Sequence, residues 1–164
     1  MPSKKNIEVI LNRYEFVMNY IKGKDVLEIG CGPGLGSKVI NEVCKSYVGI
    51  DISEKNIELA KQNNNQIKNS FKKLDAYNIL SLNKKFDVII VLATVYYLDI
   101  NRLLEIAKKT INNNGILIFD MPNKNIPNFD SNWDGQTNHY QIEEISKIMY
   151  NNNITDFEIF GSIP

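Results

Sequence analysis

Residues 25 to 40, DVLEIGCGPGLGSKVI, place four glycines within seven positions, between a short apolar run and an amphipathic stretch. No other feature of the chain limits the fold so strongly. Gly30, Gly32, Gly34 and Gly36 follow Val26-Leu27-Glu28-Ile29, which has the pattern of a strand, and precede helical residues up to about Cys44. A turn built this way reaches positive φ and lets a ligand touch the main chain. Strand, glycine turn and helix make one βα unit.

The remaining sequence repeats that unit. Tyr47-Val48-Gly49-Ile50 closes on Asp51, and Ser53 caps a helix carrying Ile57, Leu59 and Ala60. Phe71 to Leu74 is a third strand and closes on Asp75. Phe86 to Leu92 is a nearly continuous β-branched run, the composition of a strand covered on both faces at the centre of a parallel sheet. Asp99 starts a helix with Ile100, Leu103, Leu104, Ala107 and Ile111 on one face, and Asn114-Gly115 turns into a fifth strand, Ile116 to Phe119. Residues 140 to 150 read as a helix and Phe157-Glu158-Ile159-Phe160 as a last strand. At the N-terminus, Ile7, Ile10, Leu11, Tyr14, Val17, Met18 and Ile21 lie at helical spacing, so residues 1–22 form a helix able to serve as part of a lid. The expected fold is α/β, a doubly wound, mostly parallel Rossmann-like sheet with helices on both faces, in a single domain over residues 1–164. Residues 121–138 hold Pro122, Pro127, Trp133 and Gly135, and they exceed the usual loop length of compact domains. They are expected to flank an acceptor. In such sheets ligands lie across the carboxyl ends of the strands, where Glu28 to Gly36, Asp51-Ile52, Asp75-Ala76 and Leu92 to Tyr97 should converge.

Charge excludes some partners. Nineteen basic residues balance nineteen acidic ones, and the lysine pairs are scattered, which argues against a phosphate backbone or an anionic membrane. No apolar stretch approaches the roughly 18 residues of a membrane span, and MPSKKNIEVI lacks a signal-peptide core, so a cytoplasmic location is expected. Cys31 and Cys44 are the two cysteines, too few for a disulfide framework or for a metal site of their own, and no metal is expected.

Spacing narrows the ligand. A dinucleotide fingerprint needs a third glycine five positions after the first, and those positions hold Leu35 and Ser37. The chain has Glu-x-Gly-x-Gly-x-Gly instead, with Glu28 ahead of the first glycine. A carboxylate there repels a pyrophosphate but suits a ligand bearing an ammonium and a sulfonium, as S-adenosylmethionine does. Asp51, 21 residues after Gly30, stands where such folds place a carboxylate for ribose hydroxyls. Asp75 can accept from an adenine amino group while the backbone of Ala76 reads the ring edge.

These residues resemble a known family. EIGCGPG is similar to motif I of class I S-adenosylmethionine-dependent methyltransferases, VGID to motif II and KLDA to the adenine-contacting motif. FDVIIVLATVYYLDI resembles the family's fourth-strand segment and NNNGILIF its turn into strand five. The resemblance implies cofactor contacts from Glu28, Gly30, Gly32, Gly34, Asp51, Ile52, Asp75, Ala76 and Leu92. It implies transfer of a methyl group to an oxygen or nitrogen of a small molecule by in-line displacement, with S-adenosylhomocysteine as product. The alternative is a non-catalytic binding or partner protein on the same fold. Leu92-Ala93-Thr94-Val95 departs from the Asn-Pro-Pro-Tyr of enzymes acting on planar amino groups, and no Pro-Cys pair supports a covalent cytosine mechanism. Candidate proton acceptors are His139, Tyr96 (with its neighbour Tyr97) and Asp120, while Trp133 either covers the acceptor or anchors its loop. The family sheet closes with a sixth and a seventh strand, and here one is missing. Either the exposed edge meets a partner, such as a second copy in a homodimer, or the strand count is in error.

Overall fold

The computed structural model describes residues 4–64, 69–122 and 138–160. Helix α1 (Lys4–Ile21) leads into β1 (Asp25–Ile29), then α2 (Ser37–Ile40), β2 (Ser46–Asp51), α3 (Glu54–Asn63) and β3 (Asn69–Lys73). The second half holds β4 (Phe86–Val91), α4 (Ile100–Thr110), β5 (Ile111–Phe119) and α5 (Ile142–Asn151), with 3₁₀ segments at Ala76–Leu82 and Val95–Tyr97. All strand pairs are parallel and run in the order β3-β2-β1-β4-β5. The order reverses between β1 and β4, which sets the switch point beside the glycine turn.

Side-chain alternation along the strands sorts the core into two layers. Val26, Val88 and Ile90 pack with Tyr14, Val17 and Ile21 of α1, Ile40 of α2, and Ile57 and Ala60 of α3. Leu27, Ile29, Ile89 and Val91 face the other way, onto Ile79, Val95 and Tyr96 of the 3₁₀ segments and Leu103, Ile106 and Ala107 of α4. Beside β5, Ile100 and Leu104 of α4 meet Ile145 and Met149 of α5. β4 is buried along nearly its whole length, as its β-branched run requires. Helix α4 starts where Asp99 accepts the Asn101 and Arg102 amides at 2.9 and 3.2 Å.

Four features depart from the sequence reading. Helix α2 stops at Ile40 and passes into turns, well before Cys44. β5 begins at Ile111, because residues 112–115 bulge out of the ladder between the Phe86–Ile111 and Val88–Ile116 pairs, with Asn112 donating to Asp87 at 2.9 Å. Helix α1 is more than a lid: Val17 and Ile21 are fully buried in the core. Finally, residues 157–160 form no strand, and among the described residues the sheet has five. Their aromatics pack on helices instead of pairing. Phe157 lies edge-on to Tyr150 of α5, ring centroids 5.6 Å apart, while Phe160 rests 5.2 Å from Phe16 of α1. Residues 123–137, including Trp133, lie outside the described residues.

Leu103, fully buried between α4 and the sheet, tests this packing. Leu103→Ala is expected to lower the unfolding free energy by about 3 kcal/mol in urea titrations, with an unchanged m-value.

Candidate active site

The pleat that places Val26 in the core under α1 places Glu28 there too. Its side chain is 1% exposed. The Tyr14 hydroxyl donates to Oε1 at 2.5 Å, and the Tyr47 hydroxyl donates to Oε2. Gly49 lies directly across the ladder from Glu28, and a Cβ there would come within 2.9 Å of the Tyr47 hydroxyl and 3.0 Å of Cys31. The missing side chain makes room for the network. Burial pushes the Glu28 carboxyl up to about 7, against the pull of the two tyrosine donors, and the nearby Asp51 charge adds to the rise. Burial likewise pushes the Cys31 thiol and both phenols upward, with Glu28 adding to each.

The glycine turn sits directly above. The amides of Gly30 and Cys31 both donate to the Ile50 carbonyl, at 2.8 and 2.9 Å, which splices the turn onto the end of β2. Gly30, Gly32 and Gly34 have φ of +77°, +53° and +76°. A Cβ on Gly30 would fall 2.2 Å from Thr94 Oγ1, so the loop after β4 packs against that carbon. A Cβ on Gly36 would enter the Tyr14 ring. At Gly32 the same construction meets nothing within 4 Å. This glycine faces open space. From α3, Asn64 donates to the Gly34 carbonyl at 3.1 Å and Asn63 to the Pro33 carbonyl at 3.2 Å, fixing the far side of the turn.

The open space is a cleft of about 120 Å³ lined by Arg13, Tyr14, Gly30, Gly32, Leu92 and Ala93, among others. Asp51 stands beside it, accepting the Gly32 amide on Oδ2 at 2.9 Å and the Ser53 amide on Oδ1 at 2.8 Å. Each carboxylate oxygen accepts more than one bond, so both keep capacity for hydroxyls. Ile52, the next residue, is 71% exposed, and Leu92 is buried at the cleft floor. Asp75 caps the 3₁₀ segment that begins at Ala76, accepting the Tyr77 amide at 2.7 Å.

Two expected proton acceptors are otherwise engaged. Asp120 binds Arg13 Nε at 2.6 Å through Oδ2 and accepts the Ala93 amide at 2.5 Å through Oδ1. It thereby ties α1, the end of β5 and a residue held at φ +52° in the cleft wall. Asp120 is thus shared by a guanidinium and an amide. Tyr96 is 5% exposed within the apolar layer under α4, whereas its neighbour Tyr97 is 50% exposed, their rings 4.7 Å apart. The 3₁₀ turn directs Val95 and Tyr96 inward together, so the exposed member of the pair is Tyr97. The chain at His139 is brought to the same loop: the Asn138 amide donates to the Tyr96 carbonyl at 2.6 Å and its side chain to the Leu98 carbonyl at 3.0 Å.

Sequence reasoning missed Arg13, Tyr14 and Tyr47. The two tyrosines had one available signal: Glu28 shares its strand face with Val26, so a buried carboxylate there requires hydroxyl or cationic partners.

Two outcomes test this geometry. Gly30→Ala is expected to cost at least 2 to 3 kcal/mol, roughly the sum of left-handed strain and a displaced Thr94, whereas Gly32→Ala costs only about 1, both by urea denaturation. Because the Glu28 carboxyl rises from 4.5 to about 7 on folding, the folded state holds the extra proton between those values. The stability this proton contributes is complete below pH 4.5 and is lost as pH rises through 7. The unfolding free energy of the wild type relative to Glu28→Gln should therefore fall, by on the order of 3 kcal/mol, from pH 4.5 to 7.5.

Comparison with known proteins follows the same lines. The methyltransferase domain family matches residues 6–153. The ubiquinone biosynthesis O-methyltransferase of Pelagibacter ubique is 36% identical over 112 residues, covering 66% of this chain and 46% of that protein. The chain thus spans under half the length of the curated relatives it first matches. The N-methyltransferase NodS of Bradyrhizobium japonicum, solved with S-adenosylhomocysteine, is 25% identical with a TM-score of 0.58, over 71% of this chain and 60% of that one. The magnesium protoporphyrin IX methyltransferase of Synechocystis PCC 6803, also solved with S-adenosylhomocysteine, superposes with a TM-score of 0.68 at 18% identity, over 86% of this chain and 71% of that one, a likeness of fold. The chain belongs to the methyltransferase domain family, among the class I S-adenosylmethionine-dependent methyltransferases.

Proposed function

We propose that this chain binds S-adenosylmethionine across the glycine turn and methylates a small molecule at an oxygen or nitrogen. The observation that carries the reading is Gly32: a positive-φ glycine open to the cleft, its amide held by Asp51. A side chain at that position would occupy the cleft beside the carboxylate. Gly30 to Gly34 form the cradle, Asp51 accepts the ribose hydroxyls, and the exposed Ile52 offers an apolar surface for adenine, with Asp75 and Ala76 at its edge. Among the described residues Arg13 is the one cation lining the cleft, and the ligand's amino-acid carboxylate is the group it suits. When bound, the cofactor supplies a methyl group activated on a sulfonium.

The chain's own part is then mostly placement, since in-line displacement at an activated methyl gains chiefly from holding the nucleophile near 3 Å with water excluded. Leu92 and Ala93 present an apolar wall on the β4 side. The groups that can take a proton from a poorly acidic acceptor are His139, Tyr96 with its exposed neighbour Tyr97, and Asp120. Small-molecule acceptors are favoured by the charge balance of 19 against 19 and by relatives named for ubiquinone biosynthesis. Among the described residues no helix is long and apolar enough to cross a membrane.

Calorimetric titration with S-adenosylmethionine, S-adenosylhomocysteine and NAD tests the reading: saturable binding of the first two without a response to NAD is expected. Absence of all three would leave only a fold without its ligand, and binding without release of S-adenosylhomocysteine across an acceptor screen would favour the non-catalytic alternative. Asp51→Ala should weaken S-adenosylmethionine binding by roughly 1.5 to 3 kcal/mol, the scale of a lost charged hydrogen-bond partner. Unchanged affinity in a folded variant would remove the ribose assignment.

A further inference from the structure

Glu28 is a buried carboxylate with no cation. Among the described residues no ion pair reaches it, and its two partners are neutral hydroxyls. One side chain separates it from the cleft, because the Tyr14 that holds Oε1 also lines that space. The one cation there among the described residues, Arg13, is paired with Asp120. Asp51 at the cleft edge, joined by Glu28 behind Tyr14 whenever Glu28 is ionised, therefore biases the cleft toward a cation.

We propose that Glu28 sets the cleft's preference between the two forms of its ligand, its ionised carboxylate favouring the sulfonium of S-adenosylmethionine over the neutral thioether of S-adenosylhomocysteine. The inference rests on the cofactor reading above and adds a specificity device to it. Glu28 is not among the described residues that line the cleft, and it acts through the field it sets up behind Tyr14. A cation arriving in the cleft displaces the proton that burial keeps on the carboxyl, and the neutral product lets the proton return. Methyl transfer would thus weaken the hold on the product. The other groups facing Glu28 are Tyr14 from α1, Tyr47 from β2, Cys31 from the glycine turn and Asp51 from the end of β2. Burial pushes both phenols and the thiol upward, which keeps all three neutral across neutral pH, and Asp51 opposes a second negative charge. Beside those three neutral groups, Glu28 is the one that changes charge.

The test is the ratio of affinities for the two ligands, measured by calorimetry at pH 5.5, 6.5 and 7.5. Both carry the same adenosine and amino-acid groups, so the ratio isolates the charge on sulfur. In the wild type the preference for S-adenosylmethionine is expected to grow by about tenfold from pH 5.5 to 7.5, the effect of a one-unit change in proton affinity. In Glu28→Gln the ratio should be flat. Tyr47→Phe, which deletes one donor to the carboxylate, keeps the device but should move its midpoint to higher pH. A wild-type ratio constant within twofold, or an equal rise in Glu28→Gln, would overturn the proposal while leaving the cofactor assignment standing. Failure of both ligands to bind the wild type would remove the assignment itself and the proposal with it.

Discussion

The carboxylate of Glu28, closed off from water and gripped by two tyrosine hydroxyls, is the interaction on which the rest of this site depends. It lies on β1, Tyr14 comes from α1 and Tyr47 from β2, so three elements distant in sequence meet at one group. A buried carboxyl without donors costs several kcal/mol. Satisfying it forces α1 into a fixed register on the sheet. That register places the Tyr14 ring against Gly36 and Arg13 at the cleft, so the polar network beneath the turn positions the groups above it.

A second tie works at the cleft's other wall. Asp120 holds Arg13 and the Ala93 amide at once, joining α1 to the ends of β4 and β5. Arg13 and Tyr14 are adjacent in the chain, yet one closes the β5 side and the other the β1 side. Helix α1 is thus a core element and the wall of the cleft together, which a short amphipathic helix ahead of the first strand does not by itself disclose.

Much of the architecture was readable because it rests on local rules. Alternating strands and helices, the β-branched run of β4, and the Ser53 and Asp99 caps each depend on residues a few positions apart, and each stands in the structure. The last strand failed because Phe157 and Phe160 satisfy a strand pattern equally well when they pack on α5 and α1. Helix α2 ends at Ile40, and residues 41–44, Asn-Glu-Val-Cys, carry no glycine or proline to mark that end in the sequence. Asp120 and Tyr96 were read as proton acceptors from their place after β5 and β4. Whether such a side chain is open to a ligand or engaged by a neighbour depends on contacts 27 or more residues away, as with the Asp120–Ala93 bond.

The sequence by itself determined the order of the elements, the parallel sheet and the glycine turn at its carboxyl edge, because propensity, periodicity and positive-φ demand act over short stretches of chain. Only the tertiary structure decided which glycine faces open space, which acids stand at the cleft and which are buried or tied. Those properties belong to side chains brought together across the switch point, and their burial and hydrogen bonding exist only once α1 has closed onto the sheet.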